Sequence, residues 1–324
     1  MSNVRTGLAG VGRLFKLAGL VLVLILSASS QQPDPLDISV YVPSTSNKVT
    51  LTKDDFEVRL DGQVAEVISA EKSTQPLKIV LLLVTQWAGC MDSFAPFSSL
   101  DEIDQVFGGE DQVAIVLSDG GGTVIRDLSK PGISLSSDLT DAIRVASRNS
   151  HEDLNLESGI YESKPGLTFP MKGLQASLGL LSRSSGAGDK VIVLVNDLKN
   201  SVEGTWEESR NALSTMVEQK VSISWLTTRE LGDRFSLAGF PYGRRDFFFG
   251  LPDLSGGEVK NCRERNSSLE NNVKDILVRH RDRYRLQLLR NQTSGQSLRS
   301  VAVTLKKVGH PGVSLTYPKA IFVE

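Results

Sequence analysis

The sequence predicts an α/β fold with a doubly wound, Rossmann-like sheet flanked by helices, plus a small β-sandwich formed by strands from the N- and C-terminal regions. Residues 78–84, 113–117 and 191–195 are apolar without alternation, which is typical of parallel strands buried on both faces. A weaker fourth strand is expected at 221–226. Amphipathic helical patterns lie between these strands, and this alternation indicates a doubly wound sheet.

The helices are predicted from the spacing of apolar residues. Leu174, Leu178 and Leu181 are spaced i, i+4, i+7, so they share one face of a helix. Further helices are expected at 138–146, 212–217 and 266–280.

Two glycine-containing stretches predict the edges of the sheet. Residues 119–122 read Asp-Gly-Gly-Gly and predict a tight turn into an edge strand at 123–127, so the sheet is expected to be mixed. A phosphate-binding loop is the alternative, but the turn lacks a Gly-Lys-Ser/Thr ending and a following helix. Residues 227–260, with three Phe at 247–249, show weak periodicity. We expect a long loop region there, closing with an edge strand near Gly257.

Both ends of the chain beyond residue 30 show strand patterns. Residues 37–71 alternate apolar and polar side chains, and Asp61-Gly62 marks a hairpin turn within them. Residues 284–289, 301–305 and 313–317 alternate in the same way, so we expect the strands of the two ends to pair. The predicted divisions are a signal peptide (1–30), an N-terminal β segment (31–75), an α/β domain (76–280) and a C-terminal β segment (281–324).

The composition excludes several classes of protein. The 324 residues include 36 Lys+Arg and 38 Asp+Glu, which gives a formal net charge of −2. Nucleic-acid binders usually carry a clear basic excess, so we expect no nucleic-acid partner. With 2 Cys and 3 His the chain has too few ligands for a zinc ribbon or a His-rich metal centre.

Residues 1–30 have the pattern of a secretory signal peptide. Arg5, Arg13 and Lys16 precede an apolar run at 17–26, and small residues follow at 27–30. An uncleaved anchor helix is the alternative, but the run of about 10 residues is shorter than the ~20 that a membrane span needs. We therefore expect a secreted, periplasmic or cell-envelope protein without a membrane span after cleavage. In that compartment Cys90 and Cys262 could form a disulfide or remain two buried thiols.

Several stretches occur in the order in which one known family has its motifs. Residues 51–58 read Leu-Thr-Lys-Asp-Asp-Phe-Glu-Val and are followed by Asp61-Gly62. Residues 79–84, a predicted buried strand, are followed by Gly89-Cys90-Met91 in the place of an Asp-x-Ser-Gly-Ser-Met loop. The remaining stretches are 111–116, the Ser-Gly-Gly at 255–257, Arg-Tyr-Arg-Leu at 283–286 and 298–303. In this order they resemble the secreted von Willebrand factor A-type proteins of the Acidobacteria.

This resemblance implies a metal-ion-dependent adhesion site at the carboxyl ends of the sheet strands. In the family, an Asp and two Ser from a first loop, a Thr from a second and an Asp from a third hold Mg²⁺. Here Gln86 stands in the place of the Asp, and Ala88 and Cys90 stand in the places of the two Ser. Thr168 and Asp197 match the second-loop Thr and the third-loop Asp. One carboxylate offsets little of the dehydration that Mg²⁺ resists, so we expect a degenerate site and no cofactor.

Other polar groups have plainer interpretations. Asp92 and Ser93 could rebuild an oxygen cluster, but both are common helix caps. His151-Glu152-Asp153 lies in a stretch (147–159) that we expect to be a solvated loop. His280, beside Arg279 and Arg281, is expected on a charged surface at a helix end.

The sequence predicts a protein-interaction module rather than an enzyme. A protein partner would bind at the upper loops, with Gln86, Trp87, Ala88, Cys90, Asp92 and Ser93 as the interaction loop. One alternative is a working metal-dependent adhesin that uses Asp92, Thr168 and Asp197. Another is an enzyme with Cys90 as nucleophile, for which the sequence identifies no base.

Overall fold

A computed structural model describes residues 35–43, 50–84, 100–118, 121–152, 171–195, 206–227, 247–261, 269–289, 297–306 and 314–323. The described residues from Leu36 onward belong to one compact unit. The signal peptide predicted at 1–30 and both cysteines lie outside the described residues. In the part of the chain that the structure describes, no helix is long and apolar enough to span a bilayer.

Six of the described strands form a central mixed sheet in the order β10-β9-β8-β5-β6-β7. Five of them run parallel, and β7 pairs with β6 antiparallel at one edge. Each of the apolar segments read from the sequence is a strand of this sheet. The bounds are β5 Leu77–Val84, β6 Gln112–Ser118, β7 Thr123–Ser129, β8 Asp189–Val195, β9 Val221–Thr227 and β10 Val259–Asn261.

Helices cover both faces of this sheet. On one face α1 (Leu100–Val106), α2 (Ile133–Glu152) and α6 (Leu269–Arg281) pack against alternate strand residues such as Ile79 and Leu81. On the other face α3 (Met171–Arg183), α4 (Trp206–Glu218) and α5 (Phe247–Ser255) pack against the residues in between. Burial on both faces explains why the strands read as continuous apolar runs. The predicted doubly wound α/β fold is confirmed.

Strands from the two ends of the described chain form two smaller sheets. One has the order β1-β11-β4 and the other the order β13-β12-β2-β3. Their shared core contains Ile38, Phe56, Val58, Leu286 and Val303. The bounds are β1 Leu36–Tyr41, β2 Phe56–Leu60, β3 Gln63–Ala65, β4 Val67–Lys72, β11 Arg283–Leu288, β12 Ser297–Leu305 and β13 Ala320–Val323.

The hairpin predicted at Asp61-Gly62 joins β2 to β3. Both residues have positive φ, 48° and 81°, as a two-residue turn of matching twist requires. The Asp61 carboxylate also accepts hydrogen bonds from the backbone N–H and hydroxyl of Ser300 and from Arg299. These bonds lower the pKa of Asp61, the Arg299 hydrogen bond most. The turn therefore fixes the place of β12 as well as the hairpin.

One predicted strand is wrong, and one predicted helix is longer than expected. Residues 313–317 were expected as a strand, but Thr316 makes only an isolated bridge to Tyr41, and the strand is Ala320–Val323. Pro318 lies between the two and has no N–H to donate to a ladder. The helix expected at 138–146 extends over Ile133–Glu152, because polar residues at both ends weaken its periodicity.

The aromatic run expected within a loop is also different in the structure. Phe247–Ser255 forms α5, which packs on β9 through Leu251. Its sequence shows no alternation of apolar and polar faces and contains Pro252, so apolar periodicity does not predict a helix here. The edge strand expected near Gly257 is present as β10, which pairs parallel with β9.

Candidate functional site

The carboxyl ends of the parallel strands meet at one edge of the central sheet. In register, Val84 of β5 lies opposite Ser118 of β6, and Leu83 lies opposite Val195 of β8. β5 lies between β6 and β8 in the sheet. The chain therefore adds β6 on one side of β5 and β8 on the other, and the direction of winding reverses at β5. In open α/β sheets, the crevice outside such a switch point is where ligands bind.

Every residue assigned to a site from the sequence lies outside the described residues. They follow or precede described elements closely in sequence: Gln86 comes two residues after the end of β5, Asp197 two residues after the end of β8, and Thr168 three residues before α3 begins. The structure thus brings together the strands that lead to these positions. The residues concerned are Gln86, Trp87, Ala88, Cys90, Asp92, Ser93, Thr168 and Asp197.

The described part of this edge is closely packed. A Cβ added to Gly173, near the start of α3, would come within 2.7 Å of Leu82 and of the Ser118 side chain. A Cβ on Gly122 (φ +75°) would lie 2.6 Å from the carbonyl oxygen of Lys172. Since any larger residue would force the helix away, these glycines let α3 begin directly against β5 and β6. The first turn of α3 therefore lies at the switch point.

The described residues do not supply a metal centre. Within the described ranges, no three His, Cys, Asp or Glu side chains are grouped closely enough to hold an ion. His151 and Glu152, which were expected in a loop, form the last turn of α2. This corrects the loop prediction for residues 147–152.

A second polar region lies at the opposite, amino edge of the sheet. There a cleft of about 190 Å³ opens between the first residues of β8 and β9 and the strands β1, β11 and β13. We call it the amino-edge cleft. Its charged lining residues are Asp37, Asp189, Lys190, Lys220, Arg283 and Arg285.

Arg283 is the most deeply buried charge of this cleft, with only 4% of its surface exposed. Its guanidinium donates to the Ser222 hydroxyl at 3.2 Å and to the Gly256 carbonyl at 2.5 Å. Its Nε has no hydrogen-bond partner among the described residues. Burial lowers the pKa of Arg283 to about 10, while Asp189 and Glu258 act in the opposite direction, so the guanidinium stays charged at neutral pH.

His280 lies beside Arg283 and is buried, so its predicted place on a charged surface is wrong. Its Nε2 lies 3.2 Å from the hydroxyl of Ser224. Burial lowers the pKa of His280 well below its usual value, and Arg283 and Arg281 lower it further, so the imidazole is neutral. Ser224 is fully buried and also accepts a bond from the N–H of Glu258. The pair therefore joins β9 to α6 and offers no accessible nucleophile.

The motif residues of the sequence resemblance have structural roles here. Gly256 has a φ of +75°, and a Cβ on Gly257 would lie 1.7 Å from the Ile223 carbonyl oxygen. The Tyr284 hydroxyl accepts a bond from the Leu51 N–H, and Arg285 pairs with Asp189 at 3.4 Å. Arg285 thus joins β11 to β8 of the central sheet, and Tyr284 joins β11 to the residues before β2. Sequence reasoning did not link Lys190 to these motifs, because no local pattern connects residues so far apart.

No protein-family model matches the chain, and no curated protein matches it. Among solved structures, the chain is similar to the N-terminal domain of TFIIH p34, with 12% identity over 64% of this chain and 98% of that one, at a TM-score of 0.39. It is also similar to the conserved hypothetical protein BatB from Bacteroides thetaiotaomicron, with 12% identity over 62% and 97% and a TM-score of 0.36. For human COPII-coat protein Sec24c the identity is 9% over 77% and 44%, and the TM-score is 0.29. Similarity at this level says nothing about ligands or partners.

Proposed function

We propose that this chain is an exported protein-interaction module of the von Willebrand A type that binds a protein partner at the carboxyl edge of its sheet. The observation that carries the proposal is the switch point at β5, with β6 on one side and β8 on the other. The segments that follow β5 and β8 start at this crevice, where doubly wound sheets bind their ligands.

The composition of the first of these segments suits a protein partner. Trp87 comes three residues after the end of β5. Trp is among the residue types that dominate binding energy at protein interfaces, because it buries a large area with few rotatable bonds. Residues 86–93 contain a single ionisable carboxylate, that of Asp92. This favours an interface with an apolar centre over one built on charge.

Binding without a divalent ion is part of the proposal. In the family pattern Mg²⁺ is held by hard oxygen ligands, and Gln86, Ala88 and Cys90 replace three of them here. An uncharged amide, a methyl group and a thiol do not offset the cost of removing water from Mg²⁺. Asp197 alone would provide the charge. Export rests on the signal-peptide pattern of residues 1–30.

Site-specific capture tests this function. A photo-crosslinking amino acid is placed at position 87, and the same group at position 64 serves as control, since Val64 is 61% exposed on β3 of the sandwich. We expect one partner to be crosslinked from position 87, not from position 64, and to the same extent with EDTA or with Mg²⁺. Equal capture from both positions, or none from position 87, contradicts the interaction site.

The two alternatives have their own readouts in the same preparation. Capture that requires Mg²⁺ and is lost on Asp197→Ala would identify a metal-dependent adhesin. An enzyme based on Cys90 would show fast alkylation of that thiol at low pH, because a nucleophilic thiol has a depressed pKa. Slow alkylation that rises only at high pH indicates an ordinary thiol.

A further inference from the structure

The amino-edge cleft carries an excess of positive charge. Two of its cations are matched by carboxylates: Lys220 pairs with Asp37 at 3.2 Å, and Arg285 pairs with Asp189 at 3.4 Å. Arg283 and Lys190 form no ion pair with a carboxylate of the described residues. With His280 neutral, the lining therefore holds two more positive than negative charges.

The two unmatched cations are partly removed from water. A buried cation is costly unless an anion compensates it. The hydrogen-bond partners of Arg283 are a hydroxyl and a carbonyl, and the Asp189 and Glu258 carboxylates favour its charge without forming an ion pair with it. Burial also lowers the pKa of Lys190, with a smaller contribution from the charge of Lys78. An anion in the cleft would relieve both costs, since Arg283 and Lys190 both line it.

Other groups in the cleft favour a singly charged anion over a doubly charged one. Asp37 Oδ1 and Gln219 Oε1 are buried acceptors without a hydrogen-bond partner among the described residues. The carbonyl end of α4 also reaches the cleft at Met216 and Val217, and a helix C-terminus carries negative partial charge. A phosphate dianion would be repelled by all of these, whereas a carboxylate needs only two donors.

The remaining lining sets the size and the character of the ligand. Met216, Leu254 and Ile321 are buried apolar residues of the cleft wall. An apolar cavity of about 150 Å³ holds a benzene molecule, so the volume of about 190 Å³ admits a ring with one carboxylate. We infer that the amino-edge cleft is a binding site for a small organic monocarboxylate with an apolar body, held by Arg283 and Lys190. It is separate from the carboxyl edge proposed for the protein partner.

Calorimetric titration of the purified protein with sodium benzoate tests this site. We expect saturable binding of benzoate, and binding weaker by about tenfold or more for benzyl alcohol, which has the ring without the charge, and for inorganic phosphate. This comparison needs no variant, so it does not depend on whether a substitution folds. Absence of saturable benzoate binding, or equal affinity for benzyl alcohol or phosphate, overturns the proposal.

Two matched substitutions place the ligand in the cleft. Lys190→Met keeps the length of the side chain and removes its charge, and Lys190 is only half-buried, so the fold should tolerate it. We expect Lys190→Met to weaken benzoate binding by about fivefold or more, and Lys130→Met, at a 63% exposed lysine outside the cleft, to change it by less than about twofold. Unchanged binding in Lys190→Met, or an equal loss in Lys130→Met, shows that benzoate binds elsewhere and overturns the proposal.

Discussion

The carboxylate of Asp111 should be worth more to stability than any exposed ion pair of the protein. Asp111 is 3% exposed, and it accepts hydrogen bonds from the N–H of Leu77 and the N–H of Gly108, both at 2.8 Å. It also pairs with Arg281 at the end of α6. One side chain thus ties together the start of β5, the end of α1 and the end of α6.

The cost of removing this carboxylate can be worked out bond by bond. Asp111→Ala leaves the buried N–H of Leu77 without a partner, which costs about 1–3 kcal/mol. Loss of the bond from Gly108 adds about 1 kcal/mol. The pair with Arg281 adds about 1 kcal/mol, discounted because the arginine side chain is 31% exposed. Together we expect a decrease in the free energy of unfolding of about 3–5 kcal/mol, and a Tm lower by about 5–8 °C.

Urea unfolding followed by the fluorescence of the buried Trp225 and by circular dichroism measures this change. Asp111→Asn should lose about half as much, because the amide oxygen still accepts the bond from Leu77 but carries no charge. The matched control is Asp141→Ala, which breaks an exposed i,i+3 pair with Arg144 and should leave stability unchanged. A loss below about 1 kcal/mol in Asp111→Ala would refute the reasoning.

Three further predictions use other features of the structure. Because the pKa of His280 is lowered by burial, the unfolded chain binds its proton more tightly, and the free energy of unfolding should fall as the pH drops below about 6.5, by up to about 1.4 kcal/mol per pH unit. His280→Gln should flatten this slope between pH 5 and 7 in urea titrations, and an unchanged slope would rule His280 out as its source. Gly257→Ala should prevent folding or cost at least about 3 kcal/mol, since its Cβ would overlap the Ile223 carbonyl, whereas Gly109→Ala, with open space around it, should be neutral by thermal unfolding. If the adhesion site binds no ion, the Tm in EDTA should equal that in millimolar Mg²⁺, although a bound ion at one hundred times its Kd would add about 2.7 kcal/mol.

The central sheet was predictable because burial on both faces leaves a clear trace in the sequence. A strand such as β5 has eight buried residues in a row, and few other structures produce such a run. α5 could not be recognised in this way, because its sequence shows no clear apolar periodicity and contains Pro252, which disfavours a helix. The last described strand is Ala320–Val323 rather than the predicted 313–317, with Pro318 between the two. Pro318 has no N–H, and the sequence does not show at which positions the sheet needs an N–H donor.

The amino-edge cleft could not be derived from the sequence. Its cations, Lys190 and Arg283, are 93 positions apart in the sequence, yet both line the cleft. The pairing of β1 with β11 and the packing of α6 on the sheet bring them to the same place. The resemblance did point to Arg283, as the first residue of the Arg-Tyr-Arg-Leu motif, but a motif alone does not say which carbonyl an arginine binds.

The pairing of strands that are far apart in sequence affects the order in which the chain can fold. Among the described strands, β1 pairs with β11, and β2 pairs with β12 in addition to its hairpin partner β3. Apolar residues such as Ile38 and Phe56 therefore pack against strands that lie more than 200 residues later in the chain. Contacts this far apart in sequence form slowly, because a long loop must close first. A growing chain that still lacks Arg283–Leu288 therefore cannot complete the sheet that contains β1 and β4, because β11 is the strand between them.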